Sequence, residues 1–161
     1  MIMLEMIINF LLKSFGYLGI FLISLISTST IFLPAPLYLI IVLSSAYGMN
    51  PILASLFSGL GMSLGELTSY FIGLGGNRLL EEKHRKGVKK FERFFKKYGF
   101  VAISVASFLP FPFDIIGISA GIGRYEIKKF LIATFIGKFF KTLLLALLGF
   151  ELRWLPYYWS Y

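Results

Sequence analysis

The sequence predicts an all-α polytopic membrane protein built as an inverted repeat, each unit a proline-broken re-entrant hairpin followed by a transmembrane helix. Three observations predict it. First, 57% of the 161 residues are hydrophobic, only 15% are charged and the mean hydropathy is +0.79. Apolar stretches run through 15–48, 50–75, 98–122 and 127–150, lengths that suit a bilayer core of about 30 Å. Second, Phe32-Leu33-Pro34-Ala35-Pro36-Leu37-Tyr38-Leu39-Ile40 returns as Phe108-Leu109-Pro110-Phe111-Pro112-Phe113-Asp114-Ile115-Ile116, an offset of 76 that also carries Gly61 onto Gly137 and Gly73 onto Gly149. An offset of 75 carries Gly48 onto Gly123. Third, residues 78–97 hold nine Lys/Arg against three Glu, most of the net charge of +8. A basic segment between apolar spans marks a cytoplasmic loop and does not point to nucleic acid.

The whole chain, 1–161, reads as a single membrane domain: repeat 1 over 15–75, a basic linker helix over 77–97, repeat 2 over 98–150 and an aromatic tail over 151–161. With no cysteine there is no disulfide or thiol chemistry. The N-terminus has no basic leader and carries Glu5, so it does not read as a cleaved signal peptide.

Within residues 2–14, Glu5, Asn9 and Lys13 form one polar stripe on an otherwise apolar helix, placed at the interface or at the start of the first arm. Residues 16–33 and 37–48 flank the first Pro-x-Pro, where missing amide donors and steric clash break a helix. The leading arm is long enough either to cross or to re-enter. Residues 50–75 predict a spanning helix whose rows Gly61, Gly65, Ser69, Gly73 and Ser55, Gly59, Ser63 allow close approach of other helices. Residues 77–97, with Asn77 as N-cap, predict an amphipathic helix on anionic headgroups, with His84 solvated or facing headgroups. Tyr98–Leu109 and Phe113–Ile122 are 12 and 10 residues long, each about 15–18 Å and half a bilayer. They predict a re-entrant hairpin, the alternative being one kinked helix over 98–122. Residues 125–149 predict the second spanning helix, and Trp154, Trp159, Tyr157, Tyr158 and Tyr161 an interfacial belt.

If 78–97 is cytoplasmic, one full crossing per repeat brings the hairpins in from opposite faces, with Arg124, Lys128 and Lys129 on the basic side. The tips Pro34, Pro36, Pro110 and Pro112 then face each other near the midplane. Glu66, Asp114, Lys138 and Lys141 fall inside apolar segments. A charge there costs about 3 kcal/mol on insertion scales, so such residues pair or line a functional cavity. Lys138 and Lys141, at i and i+3, are candidates for binding an anionic group, foremost a lipid phosphate. Glu66 and Asp114 are candidate counter-ions or proton carriers. Static buried ion pairs are the alternative. No catalytic constellation, metal-ligand spacing or cofactor motif is present in the sequence, and no enzyme activity is expected.

The motifs Leu33-Pro34-Ala35-Pro36, Gly61-x-x-x-Gly65-Glu66, Tyr70-x-x-Gly73, Phe108-Leu109-Pro110-Phe111-Pro112-Phe113-Asp114, Ala120-Gly121, Phe130 and Gly137-Lys138-x-x-Lys141 resemble, in order and spacing over about residues 15–150, the DedA family, also called the SNARE-associated or VTT-domain family. The resemblance implies two oppositely oriented re-entrant hairpins and lipid traffic. Bacterial members are linked to undecaprenyl phosphate recycling and proton-dependent membrane homeostasis, and eukaryotic relatives to phospholipid scrambling. It implies an integral protein of a prokaryotic plasma membrane, with membrane lipids as partners and a homo-oligomer left open. The chain departs from better-known bacterial members in having Pro36-Leu37-Tyr38 for an acidic Pro-Gly-Glu, and Asp114 near where an arginine usually follows the second proline motif. The expected function is therefore movement of a phosphate-bearing lipid between leaflets, by a flippase or a scramblase. A proton-coupled transporter of a small ion or solute, or a structural membrane protein, is the alternative.

Overall fold

The computed structural model describes residues 16–29, 37–79, 85–109 and 113–152. The polar stripe of 2–14, the four tip prolines Pro34, Pro36, Pro110 and Pro112, His84 and the aromatic tail from Trp154 lie outside the described residues. Among the described residues every regular element is helical: α1 (Tyr17–Ser29), α2 (Leu37–Ala46), α3 (Pro51–Gly65), α4 (Leu67–Leu79), α5 (Arg85–Phe108), α6 (Phe113–Ile122) and α7 (Ile127–Glu151). Among the described residues only α7, with 25 residues, is long and apolar enough by itself to cross a membrane, reaching about 38 Å at 1.5 Å per residue. The ten-residue helices α2 and α6 reach about 15 Å.

Three boundaries differ from expectation. The helix expected over 50–75 is two, α3 and α4, meeting at Glu66. The backbone bonds continue through the junction, Glu66 N–H donating to Met62 O at 3.0 Å and Tyr70 N–H to Glu66 O at 3.2 Å. Asn77 lies inside α4, which continues to Leu79, and not at a helix start. The basic linker and the first arm of the second unit are one helix, α5: no proline or glycine pair separates them, so nothing stops the helix at residue 97.

Two turns match in the register of the sequence similarity. After α2, Gly48 N–H donates to Ser45 O and Met49 N–H to Ser44 O, both at 3.1 Å. After α6, Arg124 N–H donates to Gly121 O at 3.1 Å and Tyr125 N–H to Ala120 O at 2.9 Å. Both are Schellman caps, and their left-handed residues are Gly48 (φ +95°) and Arg124 (φ +48°). The offset is thus 76 here too, and Gly48 corresponds to Arg124, not to Gly123. The caps of the following helices, Asn50 and Glu126, share an extended backbone. Asn50 accepts from Ile52 N–H and Leu53 N–H, whereas Glu126 pairs with Lys129 at 2.8 Å.

Close helix contacts repeat in the same register. Gly73 of α4 lies on the backbone of Ile118 in α6, and Gly149 of α7 on that of Val42 in α2. Shifting each member by 76 turns one pair into the other, so each unit's second hairpin arm packs on the other unit's long helix. Gly61 meets Phe21 and Ser24 of α1, while Gly137 meets Ser104 and Ser107 of α5. Here the arms match at an offset of 83, because the link from Ser24 to Leu37 is seven residues longer than that from Ser107 to Phe113. Along α3 and α7, Ser55 pairs with Thr142 and Gly59 with Phe135 and Phe139, so these helices run in opposite directions. Since α5 runs with α7 and α6 with α4, the chain doubles back between α5 and α6. One kinked rod over 98–122 is excluded.

Gly73→Leu and Gly149→Leu should destabilise by similar amounts, about 2–3 kcal/mol or more, since overpacking here strikes backbone that cannot move aside. Gly75→Ala and Gly76→Ala, where a Cβ meets nothing within 4 Å, should be neutral or stabilise by up to about 1 kcal/mol. Arg124→Gly should stabilise by about 1 kcal/mol by relieving a left-handed non-glycine residue. Thermal melts in detergent read all five variants. A tolerated Gly73→Leu would contradict the packing.

Candidate functional site

The site grows from the α3–α4 junction. Small residues precede Glu66, so α1 lies close on Gly61 and Gly65 and the carboxylate is carried inside. Glu66 is 4% exposed. Ser69, one turn on, donates to Glu66 O at 2.9 Å and lies 3.3 Å from Glu66 Oε2. From α7, Lys138 Nζ donates to Glu66 Oε1 at 2.9 Å, with both side chains 5% exposed. The same ammonium lies 4.8 Å from the centroid of the Phe113 ring, at the start of α6. A hydrogen-bonded carboxylate and a ring face replace the water this ammonium gives up.

Lys141, one turn further along α7, is placed differently. Its Nζ donates to Leu109 O at 3.2 Å and lies 4.6 Å from the Tyr38 ring centroid. Leu109 follows the last residue of α5, where carbonyls lack intrahelical donors. Tyr38 stands in the first turn of α2. Lys141 therefore touches both the end of α5 and the first turn of α2. It is half-buried, and among the described residues it has no carboxylate within ion-pair distance.

Asp114, half-buried in the first turn of α6, sits where a helix dipole favours an anion. Among the described residues it forms no ion pair. The structure thus joins Glu66 to Lys138 and leaves Lys141 and Asp114 apart. The repeat explains the arrangement. At the offset of 76, Lys141 matches Gly65, Asp114 matches Tyr38, Lys138 matches Met62 and Glu66 matches Thr142. Lys141 and Asp114 both belong to the second half, and neither has a charged counterpart in the first. Sequence reasoning missed Tyr38, Phe113, Ser69 and the Leu109 carbonyl. Ser69 had a signal, its three-residue spacing from Glu66; ring faces and a carbonyl have none.

Among the described residues no three His, Cys, Asp or Glu side chains could hold a metal ion together. The VTT domain family model matches residues 33–151. The chain belongs to the VTT-domain (DedA) family. It is 30% identical over 143 residues to an uncharacterized protein of Methanocaldococcus jannaschii, covering 86% of this chain and 88% of the relative. It is 30% identical over 138 residues to the uncharacterized membrane protein YbfM of Bacillus subtilis, covering 80% and 85%. A protein of Lactococcus lactis named alkaline phosphatase-like is 30% identical over 165 residues, covering 91% of this chain and 75% of its own. No solved structure matches significantly. In this VTT-domain protein the resemblance carried by the proline motifs and the Gly137-Lys138-x-x-Lys141 segment stands, and the chain is a membrane protein by family.

Glu66 and Lys138 should behave as one unit. Glu66→Gln or Lys138→Met alone leaves a buried charge without its partner and should cost about 3–5 kcal/mol, whereas the double variant should lie closer to wild type than either single one. Thermal melts of the four proteins give the coupling. Additive losses would mean that the pair is not coupled in the folded protein.

Proposed function

We propose that this VTT-domain protein moves a phosphate-bearing lipid, a polyprenyl phosphate or a phospholipid, between the leaflets of a prokaryotic plasma membrane. The observation that carries the proposal is Lys141: an ammonium between the two hairpins, held by a carbonyl and a ring but by no carboxylate among the described residues. A cation at membrane depth is costly, and one without a counter-ion is suited to an anionic ligand. Phosphate supplies the charge and acceptor oxygens that a carbonyl supplies only in part.

The rest of the reading follows from packing. Large apolar side chains on several helices, among them Ile52, Phe71, Val101, Ile132 and Leu148, are at least half exposed, a surface suited to lipid. The opposed directions of α3 and α7 support an inverted repeat with hairpins entering from opposite faces. In this mechanism the headgroup enters between the hairpin tips, exchanges with the Leu109 carbonyl at Lys141 and leaves on the other side, while the tail stays in the bilayer. The Glu66–Lys138 pair holds α7 in place, with Glu66 and Asp114 as the groups able to carry protons in a coupled cycle. The chemistry is movement, not catalysis. The basic helix α5 rests on anionic headgroups.

Proteoliposomes with a labelled polyprenyl phosphate beside a labelled phospholipid, with and without a proton gradient, test this. Lys141→Gln keeps a donor for the Leu109 carbonyl but loses the charge. It should fold and lose at least about tenfold in rate, the scale of one charge-assisted hydrogen bond, whereas Lys141→Arg should retain most activity. Gradient dependence would mark a flippase and movement of both lipids without one a scramblase. Phosphate release would point instead to hydrolysis, and full activity in Lys141→Gln would end the proposal.

A further inference from the structure

A groove of about 420 Å³ runs between α5 and α7, within the size range of ligand pockets, about 300–1,000 Å³. Val105 and Phe108 form one wall, Phe140 and Leu144 the other, with Ser104 and Gly137 on the floor. Val105, Phe140 and Leu144 are each more than half exposed. The groove exists because Gly137 brings α7 onto the α5 backbone at Ser104, so the flanking large side chains splay outward.

Lys141 flanks this groove, between its lining residues Phe140 and Leu143 in sequence. It follows Phe140 in α7, and its ammonium bonds the carbonyl of Leu109, the residue after Phe108. The first unit shows what a closed end looks like. There α1 continues past Gly65 to Ser29, and Thr68, the counterpart of Leu144, donates to Ser29 O at 3.3 Å. Thr28 donates to Met62 O at 3.3 Å across the same contact. In the second unit α5 ends at Phe108, the counterpart of Leu25. The lysine occupies the place of Gly65. An apolar trough with a cation beside it matches a hydrocarbon chain ending in a phosphate.

We infer that the α5–α7 groove holds the hydrocarbon tail of the phosphate-bearing lipid whose phosphate engages Lys141, which makes the second unit the lateral entrance. The inference rests on the transport reading, to which it adds a tail site and a side of entry. The first unit, sealed by its threonine and serine contacts, does not admit the lipid. The chain slides along Val105 and Leu144 while the phosphate passes Lys141.

The chain has no cysteine, so a fluorophore can be placed on one introduced thiol in full-length protein in nanodiscs. Leu144→Cys puts it in the groove; Leu148→Cys, at a position 58% exposed, puts it one turn on and outside. The quencher is an alkyl phosphate with a nitroxide in its chain, and the control is the alcohol with the same chain. The phosphate should quench the residue 144 label at much lower concentration than the residue 148 label. Lys141→Gln should shift that dose response by roughly 10–100-fold, the weight of a charge-assisted partner. Equal quenching at both labels, or equal quenching by the alcohol at residue 144, would overturn the groove assignment. If Lys141→Gln still abolished lipid movement in vesicles, only the groove would have failed. Unchanged movement in Lys141→Gln would remove the transport reading and this inference with it.

Discussion

The ammonium of Lys138 sits in an almost wholly buried place with one carboxylate in reach, and the arrangement of the site depends on that bond. Without Glu66, α7 could not bury a charge on the face it turns to α3 and α4, and the helix would rotate or shift. With the pair made, α7 is held in register against the α3–α4 junction. Lys141 then falls between Leu109 of one hairpin and Tyr38 of the other. Glu66 serves Lys138, and among the described residues Lys141 has no carboxylate within ion-pair distance. A buried ion pair and a cation held by a carbonyl and a ring face thus lie a helical turn apart.

The two halves follow one plan and differ where chemistry is needed. Helix starts, Schellman caps and the Gly73–Ile118 and Gly149–Val42 contacts coincide at 76 residues. The leading arms do not, since seven fewer residues separate the arm from the second helix in the second unit. That difference ends α5 at Phe108, leaves its last carbonyls open and makes room for a lysine where the first unit has a glycine under Thr28. Asp114 and Tyr38 differ likewise at matched positions. A strictly symmetric dimer of units would have two equal sites; here the second half carries Asp114, Lys138 and Lys141, and the first carries Glu66.

Much of this was legible in the residues. Proline pairs and glycine rows act locally, through missing amides and absent side chains, so helix breaks and close approaches could be read from them. Phe113–Ile122 and the contacts of Gly61 and Gly73 were read correctly. The boundary at residue 97 was not, because a change from basic to apolar residues alters surroundings without ending a helix. Nor was the pairing of lysines with acids, since four charges allow several pairings and only the register of α7 on α3 selects one. The register of the caps was misread for a simple reason: glycine was matched to glycine, while the fold places Arg124 in the left-handed position.

The central claim is that the Lys141 ammonium binds phosphate and the Lys138 ammonium does not. Protein carrying ¹⁵N at the lysine Nζ, titrated with dodecyl phosphate, tests it most directly, with Lys141→Arg and Lys138→Met assigning the two signals. A saturable shift of the Lys141 resonance, with that of Lys138 unmoved, is the result expected. A Lys141 signal that stays still while lysines of the basic segment shift, or a response at Lys138 instead, would contradict it.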